Sequence, residues 1–274
     1  MNANRLIARS LFALGILSLG ILTLRYGYGV LLFRVPPAGW VPWLKVVGYL
    51  SGVIMTLTGA GLFVERCMRG ATYMLFPFLS LWALSRIPVV VSDPGREISW
   101  FAVGEIAVLT AAALVLYTQL AVTRPGLPLE RATHEHGLLT ARFLFGLSLP
   151  TFGLSHFFEF AAHTVSLVPA WLPFRAGWAD LTGAAQIAAG LGVVLSIYPR
   201  RAAAIEAAML SLFALVVWVP IVIARPTTPS NWGELLYTVA LAGAAWVVTE
   251  SIPARQATVA VTNGESVTSN AETV

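Results

Sequence analysis

Apolar residues run along the chain in eight long blocks, at roughly 8–32, 43–64, 70–91, 99–121, 139–162, 176–197, 202–224 and 232–250, with short polar turns between them. No block alternates polar with apolar residues, as a half-buried strand would. Each is close to the ~20 residues that a helix needs to cross a bilayer. Lipid offers backbone amides no partner, so continuous apolar runs predict helices, which satisfy their own hydrogen bonds. The expected fold is all-α and polytopic, with about eight transmembrane helices. The third and seventh blocks are interrupted late, by Arg86 and Pro88 and by Trp218 and Pro220. Arg5 and Arg9 precede the first block as in a signal peptide. That block continues to about Phe33 without a small-residue cleavage pattern, so it reads as a retained span.

Two polar stretches break the pattern. The longest internal one, Thr123 to Thr140, carries Arg124, Pro125, Gly126, Pro128, Glu130, Arg131 and His134-Glu135-His136, and reads as a solvated loop between halves. From about Ser251 the chain is rich in Ser, Thr, Asn and Glu with no apolar period, and predicts a disordered tail. Sliding the chain against itself exposes a repeat. At a shift of 131, Trp40 meets Trp171, Pro42 meets Pro173, Gly52 meets Gly183, Gly59 meets Gly190, Gly61 meets Gly192 and Arg69 meets Arg200. At 132, Pro88 meets Pro220 and Trp100 meets Trp232; at 133, Arg9 meets Arg142, Phe12 meets Phe145 and Gly20 meets Gly153. This predicts a tandem duplication: a first four-helix unit at 1–122, a linker at 123–138, a second unit at 139–250 and a tail at 251–274. Four spans is an even number, so the units lie parallel. The paired glycines, seven apart, predict close helix contacts.

Composition agrees with a lipid setting. The 274 residues are 57% hydrophobic and 11% charged, against ~25% charged in soluble proteins. The net charge of +4 comes from arginines near helix ends, with no basic stripe, so nucleic acid is excluded as a partner. Placing the N-terminus in the cytoplasm puts Arg5, Arg9, Arg66, Arg69, Arg124, Arg131, Arg142, Arg200, Arg201 and Arg255 on that side. Arg34, Lys45, Arg86, Arg96, Arg175 and Arg225 fall on the other, with Arg25 inside the first span. The bias predicts a plasma (inner) membrane protein with both termini inside. The single cysteine, Cys67, allows no internal disulfide.

The titratable residues inside apolar blocks are the candidate chemistry. His156, Glu159 and His163 stand at i, i+3 and i+7. On one helix the histidines would point within about 20° of each other, with Glu159 about 60° from His156. Gln186, Trp218 and Glu234 come to a similar depth, making His156, Glu159, His163, Gln186, Trp218 and Glu234 candidate proton-handling or ligand-binding residues of an outer-leaflet pocket. Local pairing of Glu159 with His156 is the structural alternative. In the first unit Arg25, Arg86 and Glu105 form either an ion pair with a snorkelling arginine or an anion site. No second ligand motif accompanies the histidines, so no metal site is expected. Trp40, Trp43, Trp100, Trp171, Trp178 and Trp232 read as interfacial belt residues.

The run Gly153-Leu154-Ser155-His156-Phe157, followed by Val168-Pro169-Ala170-Trp171-Leu172-Pro173, Leu181-Thr182-Gly183-Ala184-Ala185-Gln186-Ile187, Gly190-Leu191-Gly192 and Pro199-Arg200-Arg201, resembles the DoxX family of small four-helix membrane proteins. The likeness covers about 65 residues of the second unit. Gln186 stands where the family pattern has a glutamate. The resemblance implies a quinone-linked redox component, with quinone as the implied cofactor, His156 and Glu159 handling protons, and a redox partner protein or bound donor supplying electrons. The alternative is a non-catalytic protein that binds lipid or a small solute, or scaffolds a partner. A secondary transporter is weakened by the parallel duplication.

Overall fold

A computed structural model describes residues 3–27, 42–123 and 128–253. The described residues are helical throughout, without strands. The long helices are α1 (Ala3–Tyr26), α2 (Pro42–Gly61), α3 (Met68–Ser92), α4 (Glu97–Thr123) and α5 (Pro128–Ser155). A short α6 (Ala161–Leu167) follows, then α7 (Arg175–Val194) and α8 (Pro199–Leu212). A π-helical segment (Phe213–Trp218) joins α8 to α9 (Val219–Ala224), and α10 spans Pro229–Ser251. Among the described residues, six helices are long and apolar enough to cross a membrane: Ala3–Tyr26, Met68–Ser92, Glu97–Leu120, His136–Ser155, Pro199–Ala224 and Pro229–Ser251.

Local chemistry accounts for the boundaries. α1 closes on Gly27, which adopts φ 71° and returns its N–H to the Thr23 carbonyl at 2.9 Å. That left-handed stop suits a residue without Cβ. Hydroxyls inside the apolar runs bond back to their own helix, as Thr110 Oγ1 to Ile106 O (2.8 Å) and Ser148 Oγ to Leu144 O (2.7 Å) do. Such bonds let a polar side chain sit among apolar neighbours. The expected loop from Thr123 to Thr140 is corrected: α5 starts at Pro128, a residue pre-set for a helix's first position. His134-Glu135-His136 are therefore helical. The tail expected to be disordered lies outside the described residues beyond 253.

The core sits around α4 and α10. In the most apolar stretch of each, 67% of residues are buried, against 17% in α3. α1 packs along α2 and α10, while α4 packs along α3, α5 and α10. The first and last helices of each predicted unit thus lie against the other half. Contacts also recur at the spacing of the sequence match. A methyl on Gly59 would come within 2.5 Å of Leu17 N, and one on Gly190 within 2.5 Å of Pro150 Cδ. Trp100 Nε1 donates to the Pro94 carbonyl at 2.9 Å, and Trp232 Nε1 to the Pro226 carbonyl at 2.8 Å. Arg9 reaches Met68 at the start of α3, while Arg142 reaches Ser196 in the turn before α8.

Candidate functional site

A cavity of about 400 Å³ lies between α4, the end of α5, α6, α7, the π segment and α10. Its walls are mostly apolar. Phe101 of α4 stacks obliquely with Phe152 (ring centroids 5.4 Å apart) and Phe160 (6.0 Å), joining α4 to the other helices. His163, Trp178, Leu212 and Val216 line the cavity and are exposed, marking its mouth. Leu212 and Val216 belong to the candidate membrane span Pro199–Ala224, so exposed apolar side chains form part of the mouth.

The π segment follows from Pro220. A proline inside an α-helix offers no N–H and its ring presses on the carbonyl four residues back. Here the turn before it widens, and the Val219 N–H bonds the Ala214 carbonyl, five residues back. Phe213, Val216, Val217 and Trp218 all line the cavity. Wide turns of this kind cluster at functional sites. The interruption at Trp218 and Pro220 was visible in the sequence; its π geometry was not.

The expected single helix face through His163 is corrected. α5 ends at Ser155, and residues 156–160 form turns before α6. Two side chains find partners there that a continuous helix would not offer. His156 Nδ1 lies 2.7 Å from the Ala179 carbonyl and 3.4 Å from Thr182 Oγ1. The Thr182 hydroxyl is placed to donate to the Trp178 and Ala179 carbonyls, at 3.0 Å each, so both oxygens facing Nδ1 are acceptors. Nδ1 therefore carries the ring hydrogen of neutral His156, and Nε2 is left as an acceptor. Gly183 makes room for this ring: a methyl there would stand 2.6 Å from His156 Cβ.

Glu159 points elsewhere. Its Oε1 is 3.3 Å from Arg96 Nε and its Oε2 accepts from the Ile98 N–H at 3.4 Å, capping the first turn of α4. It does not line the cavity, which corrects its placement beside His156. α6 is held at its far end by Arg175, whose Nε donates to Val168 O (2.8 Å) and Nη2 to Ser166 O (2.7 Å).

The remaining candidates separate into two groups. His163, Gln186, Trp218 and Glu234 line the cavity with His156, and so does Glu105, which is 8% exposed. α4, from the first half, thus supplies part of the wall, whereas the pocket was expected within the second unit alone. Arg25 is exposed beside the Tyr26 ring, 5.8 Å from its centroid, and Arg86 lies half-buried on α3. Neither lines the cavity. Among the described residues, no three His, Cys, Asp or Glu side chains gather as metal ligands.

One polar contact escaped the sequence reading. Gln186 Nε2 donates to Glu206 Oε1 at 3.3 Å, with Gln186 3% and Glu206 0% exposed. Gln186 Oε1 and Glu206 Oε2 have no hydrogen-bond partner. Glu206 is the single charged residue in the block 202–224. The rule that singled out Glu105 applied to it equally.

Residues 145–249 match a family described as a domain of unknown function, DUF8561. The matched segment holds α7 and the cavity-lining residues from Phe152 to Leu241. No curated protein matches the chain. No solved structure matches it either.

Proposed function

We propose that this chain is a multi-pass membrane protein that takes one small lipophilic molecule from the bilayer into the cavity beside His156. The observation that carries the reading is the pairing of an apolar cavity, with exposed apolar side chains at its mouth, and a histidine whose Nδ1 is committed to the Ala179 carbonyl. The apolar wall accommodates the body of the ligand, and Nε2 offers its polar end one fixed partner. Binding sites combine mostly apolar walls with few polar groups in this way. A quinol, the reduced form of the quinone that the DoxX resemblance implies, carries the O–H that Nε2 can accept and is one occupant of that class.

The same reading takes the architecture as eight spans in two parallel four-helix units. Supporting it are the repeated contacts of Gly59 and Gly190, of Trp100 and Trp232, and of Arg9 and Arg142. α2 and α7 each have 20 residues, about 30 Å at 1.5 Å per residue. The arginine bias supports cytoplasmic termini in an inner membrane.

The test is solvent extraction of the purified protein followed by mass spectrometry. The wild type should release one lipophilic compound in stoichiometric amount. Val217→Trp, which fills the cavity, should release none while keeping its helical circular dichroism. Equal recovery from both proteins would refute the reading.

A further inference from the structure

Among the described residues, Glu206 is the most deeply buried titratable side chain. It stands midway along α8, and its one hydrogen bond comes from Gln186 Nε2. α8 packs on α7, α10 and the π segment. The titratable groups on these elements are Arg175 and Asp180 on α7 and Glu234, Tyr237 and Glu250 on α10. α8 itself adds Arg200 and Arg201 in its first turn. Among the described residues none of these bonds to Glu206, and Arg200 is engaged by Glu250 at 2.8 Å. A carboxylate withdrawn from water without a cation is strongly disfavoured, and such a group takes a proton instead. The same proton accounts for the two oxygens left over, Glu206 Oε2 and Gln186 Oε1. A carboxylic acid and a primary amide are planar groups that each carry a donor and an acceptor side by side. One edge of the pair is closed by the Nε2 to Oε1 bond. Closing the second edge needs a hydrogen on Oε2.

We propose that Glu206 and Gln186 form a proton-binding site in the interior of the bundle. Glu206 takes up one proton from water, and the O–H formed on Oε2 donates to Gln186 Oε1. Release returns that proton to water and leaves a buried carboxylate. Gln186 lines the cavity and Glu206 does not, so the exchanged charge lies behind the cavity wall. The site stands whatever the cavity binds.

The experiment is infrared spectroscopy of the full-length protein in phosphatidylcholine nanodiscs, wild type minus Glu206→Gln. At about pH 6 an exposed glutamate is ionised. The wild type should nonetheless show there the C=O band of a protonated carboxyl that the variant lacks. At about pH 9 that band should give way to carboxylate bands. Carboxylate bands in the difference spectrum already at the lower pH, with or without sodium in the buffer, would overturn the inference. A protonated band that survives the higher pH would overturn it too, because the proton would not exchange. Thermal unfolding is the second readout. The Glu206→Gln amide can make both bonds of the acid, so this variant should melt close to the wild type at the lower pH. A carboxyl held neutral by the fold contributes stability that is lost as pH rises. Glu206→Gln should therefore out-melt the wild type at the higher pH, whereas Glu206→Leu, which makes neither bond, should melt lower than Glu206→Gln at both. An equal advantage of Glu206→Gln over the wild type at both pH values would mean a charge present throughout, and would also overturn the inference. Neither readout uses ligand recovery, so failure here leaves the cavity reading standing.

Discussion

His156 sits in a turn rather than on a helix because the Ala179 carbonyl offers its ring a partner at 2.7 Å. On the proposed reading, replacing it with alanine removes one hydrogen-bond partner of the ligand. His156→Ala should therefore weaken binding of a hydroxylated probe about five- to ten-fold, measured by titration in nanodiscs. Glu159 makes the opposite prediction. Its pair with Arg96 is solvent-exposed, so Glu159→Gln should cost less than about 1 kcal/mol in thermal unfolding and leave ligand affinity unchanged. A large loss of affinity in that variant would return Glu159 to the site. His156 was legible in the sequence because a titratable group stands out in an apolar run. The direction of Glu159 was not, because its partners Arg96 and Ile98 lie some sixty residues away and only the fold brings them close. Glu206, the single charge in its apolar block, was as visible as Glu105; its pairing with Gln186 was not, because the two lie on different helices.

At the scale of elements, two small features shape the cavity. Gly183 lets α7 approach the turn carrying His156, so Gly183→Ala must displace that ring or the helix. Its affinity for ligand should fall at least as far as that of His156→Ala, with circular dichroism still helical. Pro220 explains the π segment; Pro220→Ala removes the reason for the wide turn. In that variant, Phe213 to Trp218 should reset by one residue, about 100° around the helix, and ligand affinity should drop. Cysteine accessibility scanned across 213–218 would report the change of face. The long helices follow the apolar blocks closely because burial in lipid and hydropathy obey the same physics. The ends departed where other interactions won. α5 gained eleven residues before the expected start at 139, beginning on Pro128, and stopped at Ser155, where His156 and Glu159 took tertiary partners.

Across the whole molecule, the halves depend on each other. α1 packs on α10 and α4 on α5, and Phe101 and Glu105 reach the cavity from α4. Residues 128–274 expressed alone should fail to bind a lipophilic probe, and should recover binding when co-expressed with residues 1–123. The like placement of Trp100 and Trp232, each donating to the carbonyl of a proline six residues before it, was legible in the sequence. The sharing of helices between halves was not, because sequence matches say which segments correspond but not which of them touch. The most direct measurement of the central claim is photolabelling in nanodiscs with a lipophilic phenol carrying a diazirine, followed by peptide mapping. Crosslinks should concentrate on 156–172 and 213–218 and disappear when unlabelled 4-nonylphenol is added. Labels spread over exterior residues such as Leu81 and Ile223, and unaffected by the competitor, would contradict it.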